Sequence, residues 1–366
     1  MLTDSAMLAP PPLPRSLEAS FRDLSSEKAL VRAGAVRDVV SHALRSDSTR
    51  ARAIPALERA LQGDVDSRVR AAAAVALADV AGREALSTLL VAVEDDDAHV
   101  RQMALTALGE IGDVRAAPRL ERALRDERPE VRYQAVIAYA RVARDDPSGV
   151  GAALARALDD GDPAVRYIAM RVADEQRVDG EPLRDAAVVE RARALLQSTD
   201  ARLSVAAALY LARLGDAKAL AIVLEVVADV RRTPELEDEQ GCIELSGALR
   251  LHEAIPGLEK RVWGPRRALR TLLSWGAGEG SRCAWHARIA LAQMDHPRAR
   301  AEILGDLGSW RRATREAAVV AVGRAHIVEA RAALQDLGAA VDRSLLTEAL
   351  EALTEPTGES ARREVH

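Results

Sequence analysis

The sequence is poor in aromatic residues and almost lacks lysine. Its 366 residues include one phenylalanine, four tyrosines and four tryptophans. Nearly half of the residues are nevertheless apolar, so alanine, leucine and valine have to fill the interior. Small side chains let helices approach closely, which favours stacked helices over a sheet sandwich rich in aromatic and β-branched residues.

Cysteine, single-sign charge and long apolar runs are also scarce. The two cysteines, Cys242 and Cys283, form no CxxC motif, which argues against a disulfide framework. A net charge of −5 on a mixed surface gives no general attraction to nucleic acid or anionic membranes. No run approaches about 18 apolar residues, and the N-terminus lacks the basic and apolar regions of a signal peptide. We therefore expect a cytoplasmic protein without a membrane span or a cofactor.

A valine–arginine pair recurs along the first half of the chain, at intervals of 38, 31, 31 and 34 residues. The pairs are Val31-Arg32, Val69-Arg70, Val100-Arg101, Val131-Arg132 and Val165-Arg166. After Val100, apolar residues recur at the three- and four-residue spacing of one helical face. Gly112 then favours a helix end, and Pro118 suits the first turn of the next helix. Each repeat is thus predicted to be a helical hairpin that buries its apolar stripes by stacking on its neighbours.

Weaker copies of this unit begin at Ala201, Cys242, Trp285 and Thr314. About nine hairpins and a final helix near Ser344–Leu353 are expected. Residues 1–16 are predicted to be a disordered proline-rich tail, 17–353 a continuous solenoid, and 354–366 a polar tail. Irregular inserts are predicted near 174–189, 230–241 and 263–281. The acidic stretch that begins at Glu235 is expected to be a solvated loop.

The arginine of each pair has a predicted structural role. Carboxylates precede the helices and are expected at their N-terminal caps, where they meet free N–H groups and the positive end of the helix dipole. These carboxylates are Asp97, Asp126, Asp160 and Asp162. An arginine can bridge to such a carboxylate in its own or a neighbouring unit. The resulting ladder would set the register between repeats.

The pattern A-x-P-x-L followed by VR-x-x-A-x-x-A-L-G-x-I-G-D resembles the HEAT repeat in its short bacterial form, also called the PBS-lyase HEAT-like repeat. The resemblance is strong from Val65 to Glu175, fair from Asp200 to Val227 and weak after Pro234. It implies an all-α, right-handed α-solenoid of the armadillo/HEAT-like class. The family includes scaffolds and adaptors, phycobilin lyase subunits, a metal-dependent deoxyhypusine hydroxylase and DNA-alkylation glycosylases, and fold alone does not choose among them.

Two sets of residues are candidate contact sites. In HEAT-like arrays the second helix of each unit lines the concave side, which predicts a contact stripe there. The stripe comprises Arg101, Arg132, Tyr133, Arg166 and Tyr167, with Gln102 beside them. Tyrosine suits contact because it presents a large rigid area with a polar tip. Packing along the helix flank is the alternative role for these side chains.

The second set interleaves basic residues with tryptophan. It contains Trp263, Arg266, Arg267, Arg270 and Trp275, together with Lys260, Arg261, Arg282, Trp285 and Arg288, and Trp310 lies a little further on. Such a segment can bind an acidic protein or a phosphate-bearing ligand. It can also be a structural junction in which the tryptophans fill space between irregular repeats. The sequence leaves these three interpretations open.

The sequence gives little support for a catalytic or metal-binding site. Cys283 and His286 could share a helical face, and His252-Glu253 is the one His-Glu pair, so no metal site is predicted. The glycine-rich Gly276–Ser281 lacks the lysine and the preceding strand of a phosphate-binding loop. The sequence therefore predicts a non-enzymatic scaffold or adaptor with an acidic or elongated protein partner. A nucleic-acid-binding or DNA-repair protein is the alternative, and a lyase-type enzyme subunit is a third. The oligomeric state is left open.

Overall fold

The structure is a computed structural model that describes residues 15–264 and 279–354, with side chains from residue 283 onward in the second range. The described residues are helical except for turns and one two-stranded hairpin. The helices are α1 (Leu17–Asp23), α2 (Ala29–Ala43), α3 (Asp47–Gly63), α4 (Ser67–Ala81), α5 (Leu86–Ala92), α6 (Ala98–Ile111), α7 (Ala117–Ala123), α8 (Pro129–Val142), α9 (Pro147–Leu158), α10 (Pro163–Glu175), α11 (Ala186–Leu195), α12 (Ala201–Arg213), α13 (Ala217–Val227), α14 (Leu236–Ala248), α15 (Ile255–Trp263), α16 (Glu279–Gln293), α17 (Pro297–Leu307), α18 (Arg312–Ala325), α19 (Arg331–Leu337) and α20 (Arg343–Ala352).

The chain divides into two compact units, one ending at Arg191 and the other beginning at Ala192. In the first unit the helices that carry the valine–arginine pairs, α2, α4, α6, α8 and α10, each pack on the next. We call them the Val-Arg helices. The intervening helices α3, α5, α7 and α9 alternate with them and contact each other less. In the second unit, α14 packs on α12 and α16, and α18 packs on α16 and α20. The predicted all-α solenoid class is confirmed.

The valine of each pair is the first inward residue of its helix. Val69, Val100, Val131 and Val165 are at most 1% exposed, whereas Val31 in the first Val-Arg helix is half-buried. The predicted helix end at Gly112 and helix start at Pro118 are confirmed as well. Gly112 ends α6 in the left-handed conformation with φ 66°, and Pro118 lies in the first turn of α7.

Glycine sets how closely successive helices pack. A Cβ on Gly109 of α6 would lie 3.1 Å from the Cα of Ala138 in α8. A Cβ on Gly247, the equivalent residue of α14, would lie only 2.6 Å from the Cα of Ala290. Backbones this close leave little room for large side chains at these points of contact. This spacing fits a core made mainly of alanine, leucine and valine, in which Tyr139 and Tyr210 are the buried rings among the described residues.

The insert at 174–189 contains a short antiparallel hairpin in which Arg177–Val178 pairs with Glu181–Pro182. The prediction of a solvated acidic loop after Glu235 is wrong, because Leu236–Ala248 is helix α14. Its first turn holds Glu237, Asp238 and Glu239, and carboxylates are stabilised there by the positive end of the helix dipole. Asp238 is fully buried.

The ends of the described chain join the helical packing. Ser16 caps α1 by accepting a hydrogen bond from the N–H of Ala19, and α20 matches the final helix expected near residue 344. Residues 1–14 and 355–366, most of the predicted tails, lie outside the described residues, as do residues 265–278 of the third insert. Across residues 15–264 and 279–354, no helix has the length and apolar character needed to cross a lipid bilayer.

Candidate interaction surfaces

The arginines of the Val-Arg helices form a ladder of ion pairs between successive repeats. Each guanidinium donates two hydrogen bonds to one aspartate in the loop before the next Val-Arg helix, at 2.7–2.9 Å. The rungs are Arg32–Asp64, Arg70–Asp95, Arg101–Asp126 and Arg132–Asp160. The predicted ladder between repeats is thus present, and its rungs are two-pronged and largely shielded from solvent.

Each rung also fastens the loop before its own helix. The third nitrogen of Arg101 donates to the carbonyl of Asp95 at 2.9 Å, and that of Arg132 donates to the carbonyl of Asp126 at 2.8 Å. The carboxylate of Asp160 accepts the backbone N–H of Asp162 at 2.8 Å. One arginine therefore holds two loops, and one aspartate both shapes its loop and binds the preceding repeat.

The placement of the carboxylates corrects part of the prediction. Asp97 and Asp162 are N-caps, as expected. Asp126 and Asp160 lie two residues ahead of the caps, because Arg128 and Asp162 occupy the cap positions of α8 and α10. The sequence has aspartates at both positions, so spacing alone did not separate the capping set from the ladder set.

The side chains of the rungs are largely buried. The side chains of Arg101 and Asp126 are 11% and 13% exposed. The hydrogen bonds from Arg132 hold the pKa of Asp160 below its ordinary value against the effect of burial. Burial acts to raise the pKa of Asp64, yet hydrogen bonds from Arg32 and the backbone bring that pKa below its usual range. The carboxylates of Asp64 and Asp160 are therefore ionised at neutral pH.

The ladder ends at Arg166. Arg166 donates to the carbonyls of Asp160 and Gly161, and no carboxylate of the described residues forms an ion pair with it. The sequence has Ser198 where the next aspartate would stand. In the second unit the arginine position is occupied by Ser204, Glu239 and Ala284 in turn. It is restored at Arg315, which donates to the carbonyls of Ser309 at 2.7 Å and Ala340 at 2.8 Å.

The arginines of the predicted contact stripe have partners within the protein. Arg101 and Arg132 lie in the ladder, and Arg166 is bonded to its own loop. Tyr133 on α8 and Tyr167 on α10 are half-buried at equivalent positions of helices that pack together. The hydroxyl of Tyr167 receives a hydrogen bond from Arg171 at 3.3 Å. A role for these five residues in binding a partner stays a prediction.

A row of half-buried apolar side chains runs beside the two tyrosines, and sequence reasoning missed it. Val75, Met103, Ile137 and Ile168 lie on α4, α6, α8 and α10, three or six positions beyond a Val-Arg pair. Each of these side chains is only partly covered by neighbouring residues of the first unit. Together with Tyr133 and Tyr167 they make up what we call the Val-Arg face. The signal was available, since apolar residues recur at these helical positions outside the buried stripe.

Trp263 and Arg261, two described members of the tryptophan–arginine segment, have internal partners. The indole N–H of Trp263 donates to Glu302 at 2.9 Å, and Arg298 stacks on the ring at 4.2 Å. Arg261 donates to the carbonyls of Val226 and Val227 and pairs with Glu239. The other predicted site residues, Arg266, Arg267, Arg270 and Trp275, lie outside the described residues.

The candidate metal-ligating residues on α16, His286 and Cys283, also lie within the packed structure. His286 lies 2.7 Å from a carboxylate oxygen of Glu244, and Cys283 is buried. Cys242 is fully buried in α14, as expected for a small core residue. In the part of the chain that the structure describes, no three histidine, cysteine or acidic side chains converge on a point where a metal ion could bind.

The stacked hairpins define an α-helical repeat protein of the solenoid class. The repeats belong to a known type, because residues 54–140 match the family model for HEAT repeats. Residues 54–140 are thus HEAT repeats, which confirms the resemblance recognised in the sequence. The matched segment contains three of the four ladder arginines.

Several solved structures are similar to this chain. The YibA protein of Escherichia coli is 16% identical, with 76% of this chain and 92% of that chain covered and a TM-score of 0.50. An engineered protein is 20% identical over 93% of this chain and 99% of its own, with a TM-score of 0.39. The complex of CpcE and CpcF of phycocyanin lyase from Nostoc sp. PCC7120 is 18% identical over 81% and 98%, with a TM-score of 0.34. A search of curated proteins gives no match.

Proposed function

We propose that this protein is a non-enzymatic scaffold or adaptor that binds a protein partner on the Val-Arg face of its first unit. The observation that carries the proposal is the composition of this face. Tyr133, Ile137, Tyr167 and Ile168 are half-buried on two helices that pack together. Partly exposed tyrosine and isoleucine, arrayed on a rigid support, are typical of the centre of a protein interface.

The ladder is consistent with this role because it fixes the starts of the helices that carry the face. The ladder arginines Arg101 and Arg132 hold the loops before α6 and α8, and Arg166 holds the loop before α10. Tyr133 and Tyr167, which directly follow Arg132 and Arg166, are therefore fixed in position. A surface positioned in advance loses less conformational freedom on binding. Packed helices are spaced by about 8–10 Å, so the row from α4 to α10 spans roughly 30 Å and suits an elongated partner.

Nucleic acid is the less favoured partner. The six residues of the Val-Arg face include no arginine or lysine, and Arg171, which donates to Tyr167, pairs with Glu175 at 3.7 Å. The guanidiniums of Arg101 and Arg132 are neutralised by aspartates. Binding to nucleic acid draws its affinity from neutralised phosphates. A cavity of about 400 Å³ between α2, α3 and α4 is lined by Arg45, Asp47, Arg50 and Asp79 among others. Its lining contains neither a cysteine nor a histidine, so it does not favour a lyase-type role.

Photo-crosslinking tests the proposal. A photoreactive amino acid is placed at Ile137 in the Val-Arg face, and in a second variant at Arg122 on the intervening helix α7, whose side chain is 61% exposed. Both variants are expressed in the cells the protein comes from. We expect Ile137 to crosslink one protein reproducibly and Arg122 to leave that protein free.

The partner captured from Ile137 is then tested with purified protein carrying Tyr133→Ala and Tyr167→Ala. We expect the pair of changes to weaken binding by at least tenfold while the circular dichroism spectrum keeps its helical form. A crosslink that forms equally from Arg122, or binding that survives the loss of both tyrosines, would contradict the assignment of the face.

A further inference from the structure

One aromatic side chain of the second unit is almost fully exposed. Trp310 lies in the loop before α18, and 83% of its surface is accessible. The guanidinium of Arg311 stands 4.9 Å from the centre of its ring, and Arg311 forms no ion pair with any residue in the described ranges. The loop thus presents a large apolar surface together with a positive charge. Exposed tryptophan beside arginine is the composition of an interface hot spot.

The equivalent loops of the first unit have the opposite character. Trp310 precedes Arg315 by five positions, and the residues five positions before the arginines of the five valine–arginine pairs are Glu27, Val65, Asp96, Glu127 and Gly161. Val65 is 92% exposed, and the side chain of Asp96 is 91% exposed. These loops therefore combine an apolar side chain with negative charge.

One guanidinium joins the apolar and the acidic parts. Arg70 donates to the carbonyl of Asp64 at 3.0 Å and to the carboxylate of Asp96 at 2.7 Å, so Val65 and Asp96 flank the same side chain. Asp95 neutralises Arg70, which leaves the charges of Asp96 and Asp97 in surplus. We call Val65, Asp96 and Asp97 the acidic edge.

We propose that this protein self-associates head to tail, with the loop of Trp310 and Arg311 in one copy binding the acidic edge of a second copy. The indole packs on Val65, and Arg311 pairs with Asp96. The two surfaces are complementary. Each has an exposed apolar side chain, Trp310 or Val65, beside a charge that is not balanced within its own copy, and these charges are opposite in sign. The contact uses different surfaces on the two copies, so it can propagate or close into a ring.

Analytical ultracentrifugation of the full chain at rising concentrations tests the proposal. We expect the average mass of the wild-type protein to increase with concentration, and both Trp310→Ala and Arg311→Glu to weaken association by about tenfold or more. Arg343→Glu is the matched control, because Arg343 is an exposed arginine of the same unit outside the loop. It should leave the association unchanged.

The acidic edge is tested from the other side. Asp96→Arg should also give a monomer, and Val65→Ser should weaken association without touching the ladder. A mixture of Arg311→Glu and Asp96→Arg should regain a dimer, because each variant keeps one intact half of the contact. The double variant that carries both changes should associate again through the reversed pair.

Other occupants give different results. A wild-type protein that stays monomeric at every concentration overturns the proposal and points to a separate acidic protein as the partner of Trp310. Association that persists in Trp310→Ala also overturns it. A mixture of the two charge variants that remains monomeric, with both variants folded by circular dichroism, excludes the acidic edge as the binding surface.

Discussion

Arg132 on α8 donates two hydrogen bonds to the carboxylate of Asp160, 28 residues further along the chain. The same arginine donates to the carbonyl of Asp126, six residues back. One side chain thereby connects the start of its own repeat to the start of the next. The side chains of Arg132 and Asp160 are 18% and 12% exposed, so solvent screens the pair little.

Removing this arginine should destabilise the first unit. Arg132→Met keeps the apolar stem and leaves the carboxylate of Asp160 shielded without its charge partner, which costs about 2–4 kcal/mol. Urea unfolding followed by far-UV circular dichroism measures the loss. Arg128→Met is the control, because Arg128 pairs with Glu130 at the surface and exposed pairs contribute little. Equal losses in the two variants would show that the ladder has no special role in stability.

Val131→Asp should unfold the same region. Val131 is fully buried, and an aspartate there meets apolar neighbours without a partner, a change that costs more than about 4 kcal/mol. Val114→Asp is the matched control, since Val114 is 67% exposed. All four tryptophans belong to the second unit, so their fluorescence separates its unfolding from that of the first. A wild-type melting curve for Val131→Asp would refute the inward placement.

Gly247→Ala tests the close approach of helices in the second unit. The added methyl would lie 2.6 Å from the Cα of Ala290, so α14 and α16 must separate, at a cost of about 1–3 kcal/mol. Gly305→Ala in α17 adds the same methyl where no atom lies within 4 Å, and the better helix propensity of alanine should leave it neutral or slightly stabilising. Tryptophan fluorescence during thermal unfolding distinguishes the two.

Acid should weaken the first unit through its carboxylates. The pKa of Asp160 is lowered chiefly by the hydrogen bonds from Arg132, and the pKa of Asp66, bonded to Arg68, is lowered to about 2. A carboxylate whose folded pKa lies below its unfolded value of about 3.9 adds stability above that value and loses it as pH falls through the folded pKa. Stability should therefore rise with pH between about 2 and 5.

Arg132→Met should flatten this dependence. Without the guanidinium, only the backbone N–H of Asp162 and the charge of Arg166 oppose the effect of burial on Asp160, so its pKa is lowered less and its protonation removes less stability. Urea midpoints measured at several acidic pH values give the two slopes. A variant with an unchanged slope would show that Asp160 contributes nothing to acid sensitivity.

The sequence was sufficient to predict the repeat, the inward valines and a ladder of arginine–carboxylate pairs, because these depend on spacing along helices. Asp126 illustrates the limit. Whether an aspartate caps its own helix or binds the preceding repeat depends on where Arg101 ends in space, and both choices satisfy the same spacing. Sequence reasoning also placed Arg101 and Arg132 in a contact stripe, whereas their guanidiniums have internal partners.

The tertiary environment decided the rest. The acidic residues after Glu235 suggested a loop by composition, but the dipole of α14 and Arg261, which pairs with Glu239, stabilise them in a helix. Trp263 was grouped with the arginines by proximity in sequence, and its indole instead donates to Glu302, 39 residues further on. The sequence shows only the helical positions of the apolar residues in the Val-Arg face. It does not show their partial exposure, because that depends on how much of each side chain the neighbouring helices cover.

The ladder constrains how the length of this chain can vary. In each rung of the first unit, six residues separate the arginine from the carbonyl it holds, so a residue gained or lost in that loop would break two bonds at once. The loop before α14, where Glu239 stands in place of the arginine, is free of that constraint, so new sequence can be accommodated there while the repeats around Arg101 keep their length.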